Sequence, residues 1–113
     1  MEWHLEQDGK LLIAHAVGEL NAQTADAFTE MLDDRVSGED AAVAIDLSEV
    51  ISVDSTGLSA LVRLATKARL SRGWVVLINP TPLVRGVLRV TRLDGWFDVC
   101  ESVEEARERL SQG

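Results

Sequence analysis

Residues 53–58 read Val53-Asp54-Ser55-Thr56-Gly57-Leu58, and their types and spacing suit chemistry at a hydroxyl. Asp, Ser and Thr are all helix-capping side chains. Here three of them stand together, just ahead of a glycine and an apolar stretch with helical spacing. One role is structural: Asp54 or Ser55 accepts backbone N–H bonds at the helix start, and Gly57 permits a tight turn or close backbone approach. The other role is chemical. A phosphate on a hydroxyl at a helix N-terminus meets free N–H groups and the positive end of the helix dipole. Ser55 can then carry that charge without unfolding the helix. On these residues alone both roles stay open.

Other constellations are weaker. Asp46 and Asp54 form the best carboxylate pair, but one ends a predicted strand and the other caps a helix, so structural roles suit them better than acid–base work. His4 and His15 fall on different strands with no Cys or Asp cluster beside them in sequence, which predicts ordinary surface or core histidines rather than metal ligands. Gly57 stands alone and lacks the lysine of a phosphate-binding loop. Cys100 lies in an apolar segment and is expected to be a small core residue. Trp74 and Trp96 are predicted to begin strands and to serve packing. No enzyme is expected.

The elements that position this segment follow from periodicity. Trp3–Glu6 alternates, Asp8-Gly9 offers a hairpin turn, and Leu11–Val17 continues as a second strand ended by Gly18. Ala25, Phe28, Met31, Leu32 and Val36 share a helical face that Thr24 or Asn21 could cap, closing at Gly38. Ala42–Leu47 is a short apolar run expected of a buried strand. Leu58, Leu61, Val62, Ala65 and Ala68 mark a helix from Ser55 that ends in Arg69 and Arg72 before Gly73. Trp74–Ile78 is another buried strand, and Asn79-Pro80-Thr81-Pro82 breaks the chain. Val84, Val87, Leu88 and Thr91 outline a third helix, Trp96–Val99 a brief edge strand, and Ser102 with Glu105 a capping box that opens a last helix. The prediction for residues 1–113 is a single α/β domain. Its mixed, mostly parallel sheet has about five strands, about four helices and an opening β-hairpin. In such sheets function sits in loops after strand carboxyl ends, which points to Ser48–Thr56.

Composition sets outer bounds. The chain has 113 residues, 46% hydrophobic and 27% charged, with one cysteine and a net charge of −8. The acidic balance argues against direct nucleic-acid binding. No apolar run is long enough for membrane insertion, the N-terminus has no signal-peptide layout, and a lone cysteine suits a reducing compartment, so a cytoplasmic location is expected. Charge is unevenly spread: residues 1–50 carry 12 acidic and 2 basic side chains, and residues 51–113 carry 7 and 9. Arg63, Lys67, Arg69, Arg72, Arg85, Arg89 and Arg92 supply most of the second cationic group. They form either solvated helix faces or a docking patch for an acidic partner.

At Val53-Asp54-Ser55-Thr56-Gly57-Leu58 the chain resembles the STAS domains of bacterial anti-sigma factor antagonists. Gly18-Glu19-Leu20, Asp46-Leu47-Ser48, Asn79-Pro80 and Val87-Leu88 with Leu93 extend the likeness in order along the chain. The resemblance implies that Ser55 is phosphorylated by a partner that is both serine kinase and anti-sigma factor. It makes Thr56 a secondary candidate, with Asp54, Gly57, Asn21 and Asp46 in support. Asn21 stands where the family often has aspartate. Ser55, Thr56, Leu58, Ser59 and Arg63 are the implied partner-binding residues. No cofactor is implied for the chain itself. ATP and Mg²⁺ belong to the kinase, and a phosphatase resets the switch. The alternative is a scaffold subunit of a membrane transporter or stress-signalling assembly with no phospho-switch. Nucleotide binding or hydrolysis by the domain itself is a more distant rival.

Overall fold

The computed structural model describes residues 1–112. The chain opens with the expected hairpin: β1 (Glu2–Asp8) and β2 (Leu11–Leu20) run antiparallel, with Asp8 opposite Leu11. There follow α1 (Ala25–Leu32), β3 (Ala42–Val53), α2 (Ser55–Leu70), β4 (Trp74–Ile78), α3 (Pro82–Val90), β5 (Asp98–Cys100) and α4 (Val103–Gln112). The strands lie side by side in chain order, and every pair after β1–β2 is parallel. This is the predicted mixed, mostly parallel sheet.

Parallel strands covered on both faces must be apolar on both faces, which explains the continuous runs Ala42–Ile45 and Val75–Ile78. On one face Phe28 of α1, Leu61 and Leu64 of α2 and Leu88 of α3 join the main core. On the other, Ala106 of α4 packs into a smaller cluster with Ile13, Ala44, Ile78 and Cys100. Cys100 is fully buried, as expected of a core residue.

Several boundaries differ from the sequence expectation. Gly18 does not end β2, which runs on to Leu20 because Gly18, Glu19 and Leu20 still pair with β3. β3 does not stop at Leu47: it runs on to Val53, so the supposed loop Ser48–Thr56 is mostly strand. Two register shifts let it do so. His15 faces Asp46 but Val17 faces Glu49, and Gly18 faces Val50 but Glu19 faces Ser52. β3 thus gains a residue on β2 twice, and these bulges disguise its period-2 pattern.

α1 ends at Leu32. Val36 still reaches the core, but from a turn whose N–H bonds back to the Leu32 carbonyl. The edge strand is Asp98–Cys100 rather than Trp96–Val99, because Trp96 and Phe97 both donate N–H bonds to the Leu93 carbonyl in a turn. Trp96 therefore does not begin a strand; its ring packs edge-on against Phe97 and under Arg69. Trp74 does begin β4.

α2 ends at Leu70, with Arg72 rather than Gly73 in the left-handed conformation (φ 64°). Gly73 has another reason to be glycine: a Cβ there would sit 2.7 Å from the Val36 carbonyl oxygen. At the last helix Ser102 accepts the Glu105 N–H, while the Glu105 carboxylate takes the Glu101 N–H instead of that of Ser102.

α1 has only eight residues, too few to hold a helix by propensity alone, so its apolar face must carry it. Phe28 is fully buried there and meets Trp3 edge-on at 6.3 Å. Phe28→Ala should cost about 3–5 kcal/mol in urea unfolding, with loss of protection in α1 amides. A cost under about 1 kcal/mol would show that α1 is held by something else.

Candidate functional site

At the end of β3, Asp54 keeps an extended backbone (φ −91°, ψ −175°) and caps α2. Its Oδ1 accepts the Gly57 N–H at 2.9 Å, and its Oδ2 accepts the Ala22 N–H at 3.3 Å. Its own N–H donates to the Leu20 carbonyl at 3.2 Å. One residue therefore ties the helix start to the turn after β2. The cap is Asp54, and Ser55 and Thr56 are the first two helical residues, both exposed.

The N–H groups of Ser55 and Thr56 make no hydrogen bond among the described residues, and neither does the Ser55 hydroxyl. Only the Ser55 carbonyl is engaged, by the Ser59 hydroxyl at 2.9 Å. The result is an exposed hydroxyl in the first turn of a 16-residue helix, where backbone donors lack partners among the described residues and the dipole is positive.

Gly57 is buried, and its role is close approach rather than a turn. A Cβ on it would lie 2.2 Å from the Leu20 carbonyl oxygen and 2.9 Å from Leu20 Cγ.

Asn21 and Thr24 build the facing turn. Asn21 Oδ1 accepts the Gln23 N–H at 2.9 Å, and Thr24 Oγ1 accepts the Asn21 N–H and donates to the Glu19 carbonyl. Neither side chain caps α1. Asn21 reaches Ser55 only indirectly, through the turn that Asp54 holds.

Of the predicted partner-binding residues, Ser55, Thr56, Ser59 and Arg63 do come together. With Ala25, Asp26 and Thr29 of α1 they line a cleft of about 210 Å³ between α1 and α2. Leu58 does not join them. It is 8% exposed and packs inward, because its helical position turns it to the core. Asp46 is not beside Ser55 either. It lies nine residues earlier, on the α4 side of β3, where its carboxylate meets His15.

Three of the seven predicted patch cations are paired within the molecule. Lys67 pairs with Asp33, Arg72 with Glu39 and Arg85 with Glu101, and Arg69 stacks on Trp96. Arg63, Arg89 and Arg92 make no ion pair among the described residues. Burial pushes the Cys100 thiol up, with nearby Arg109 a smaller opposing influence, so it is a poor nucleophile. Among the described residues no cluster of three or more His, Cys, Asp or Glu could hold a metal ion. Among the same residues no helix is long and apolar enough to cross a membrane.

Sequence reasoning treated His15 as an isolated histidine. The structure instead places it between Glu6 and Asp46. No local motif signals this cluster, because its members come from three strands.

Gly57→Ala should destabilise the fold by about 1–3 kcal/mol, and Gly57→Val by more, since any side chain must push the Leu20 backbone away. Asp54→Ala should cost about 0.5–2 kcal/mol, while Asp54→Asn should keep most of the cap. Thermal melts read all four. Wild-type stability in Gly57→Ala would refute the close-approach role.

The family model for the STAS domain matches residues 2–106. A Thermotoga maritima protein provisionally named an anti-sigma factor antagonist is 29% identical over 93 residues, which is 81% of this chain and 82% of the relative. A crystal structure from Thermotoga maritima with the same provisional name aligns with a TM-score of 0.87 at 26% identity, covering 95% of this chain and 92% of that one. The unphosphorylated form of the anti-sigma factor antagonist SpoIIAA aligns with a TM-score of 0.80 at 20% identity, covering 99% and 98%. The Bacillus SpoIIAA in its phosphorylated form aligns at 0.72 and 20%, covering 96% and 99%. At that identity the SpoIIAA likeness speaks for the fold. The match across residues 2–106 settles the larger question: this chain belongs to the STAS-domain family.

Proposed function

We propose that the protein is a non-enzymatic anti-sigma factor antagonist controlled by phosphate on Ser55. The observation that carries this reading is the unbonded, exposed Ser55 hydroxyl at the first position of α2, beside the Asp54 cap. The provisional name of the Thermotoga relative and the existence of SpoIIAA in two phosphorylation states support it.

In the unphosphorylated state the domain docks the α1–α2 cleft, with Ser55, Thr56, Ser59 and Arg63, onto a kinase-type anti-sigma factor and so frees the sigma factor. The kinase brings ATP and Mg²⁺ and transfers the γ-phosphoryl group to the Ser55 oxygen. The phosphate rests on the free Ser55 and Thr56 N–H groups, so the fold tolerates it. A phosphatase resets the switch. Because Asp54 already caps the helix, Ser55→Ala should change stability by no more than about 0.5 kcal/mol. That variant should bind the partner whether or not ATP is present.

The size of the switch follows from charge. Phosphate adds about −1.5 to −2 charges next to Asp54. Against an acidic partner group roughly 6 Å away, an effective dielectric near 20 gives about 4–6 kcal/mol of repulsion. Screening at an exposed site should reduce this to about 2–4 kcal/mol, or roughly 30- to 1,000-fold in affinity. Calorimetric titration of the kinase should rank wild type tightest, then Ser55→Asp, then protein phosphorylated on Ser55. Equal affinities for all three would remove the switch and leave a permanent scaffold. Phosphate mapped mainly to Thr56, Ser52 or Ser59 would move the site.

A further inference from the structure

Edge strand β1 has little apolar burial to hold it: all seven of its residues are exposed or half-buried. On the α4 side of the sheet, His15 of β2 faces His4 of β1 and Asp46 of β3 in register. His15 Nδ1 is 2.8 Å from Asp46 Oδ2, and Nε2 is 3.0 Å from Glu6 Oε1. An ionised carboxylate can only accept a hydrogen bond, and a neutral imidazole carries a single N–H. A neutral His15 would therefore satisfy one carboxylate and turn a lone pair toward the other. Only the imidazolium bonds both at once.

The Asp46 carboxylate does further work. Its Oδ1 accepts the Ser48 N–H at 3.0 Å, where β3 first gains a residue on β2. The His15–Asp46 contact thus pins the start of the bulge that carries β3 on toward Asp54.

We propose that His15 is a proton-operated clasp. Doubly protonated, it fastens β1 through Glu6 and the β3 bulge through Asp46; losing one ring proton to bulk water loosens both.

The charged surroundings support the closed form. β1 contributes Glu2 and Glu6 and β3 contributes Asp46 and Glu49, all beside the same shallow recess or bonded to the ring. Arg107 of α4 is held by Asp8 at 2.8 Å. The opposing group is His4, whose ring stacks on His15 at 5.9 Å and repels it when both are protonated. Burial works against charge on His15, but the bonds to Glu6 and Asp46 outweigh it, leaving its pKa raised above 6.5. Burial likewise disfavours the charged Asp46, yet the bonds from Ser48 and His15 prevail and hold its pKa below 3.8.

The signs define a window. The His15 contribution is complete below the unfolded histidine value and is lost as pH rises through the higher folded value. The Asp46 contribution is complete above the unfolded carboxylate value and is lost as pH falls through the lower folded one. The clasp is therefore closed at mildly acidic pH and opens on the alkaline side of the ordinary histidine range.

Imidazole NMR titration together with amide exchange in β1, corrected for intrinsic exchange rates, tests this. In wild type, His15 should titrate above 6.5, and β1 protection should drop roughly fivefold across that midpoint, the size of one net hydrogen bond. Glu6→Gln, at a half-exposed side chain, should keep the fold, lower the midpoint and shrink the drop. His15→Gln should abolish the drop. A wild-type midpoint at or below 6.5, pH-independent β1 protection, or an undiminished drop in His15→Gln would each overturn the clasp.

Discussion

The end of β2 and the start of α2 share a space too small for a side chain. The Leu20 carbonyl occupies the volume where a Cβ of residue 57 would stand, 2.2 Å away. That contact admits only glycine, and Asp54 reinforces it from both sides by bonding to Leu20, Ala22 and Gly57. The geometry of the site follows from this constraint. It sets the helix start at a fixed height over the sheet, leaves the next two N–H groups without partners and holds the Ser55 hydroxyl out in solvent. A looser junction would let the first turn fray, and a frayed turn loses both its aligned dipole and its free donors.

The long central strand is the second half of the same construction. Six residues beyond Leu47 would ordinarily be loop, since β4 ends opposite Asp46. Two bulges against β2 keep the segment in the sheet, with Val50 and Val53 buried while Ser48 and Glu49 meet solvent. On the open side the Thr81 hydroxyl donates to the Val50 carbonyl and also accepts the Val84 N–H at the start of α3. One side chain thus secures the strand extension and caps the neighbouring helix. The two faces of β3 consequently serve different ends. Its carboxyl end delivers Asp54 to the helix, and its α4 side carries the Asp46–His15–Glu6 group.

Part of the charge is paired inside the molecule. Uneven sign along the chain allowed either solvated helix faces or a docking patch for an acidic partner; Lys67, Arg72 and Arg85 find acids within the same molecule. Such exposed pairs contribute little stability each. Their larger effect is to leave Arg63 distinctive: it lines the cleft beside Ser55 and makes no ion pair among the described residues.

Much of this was legible in the residues themselves. The opening hairpin (its loop Gly9-Lys10, one residue on from Asp8-Gly9), the apolar runs of β3 and β4, the helix opening at Ser55 and the Asp54 cap all rest on short-range rules, where a residue's neighbours in sequence are its neighbours in space. The elements that shifted are those where distant packing outweighs local pattern. The bulges of β3 depend on its fit to β2, and the turn at Trp96 goes with its packing on Phe97 and Arg69. The reason Gly57 must be glycine was only half visible, because the obstructing carbonyl belongs to a residue 37 positions earlier. His15 lay beyond sequence reasoning altogether. Glu6, His15 and Asp46 belong to three strands, and a ring nitrogen's partners are chosen by strand register, which forms only when the sheet does. The sequence by itself determined the kind of fold, the order of its elements and the helix start at Ser55, since propensity and spacing act locally. Only the tertiary structure decided which side chains face one another, because that depends on contacts between segments far apart in the sequence.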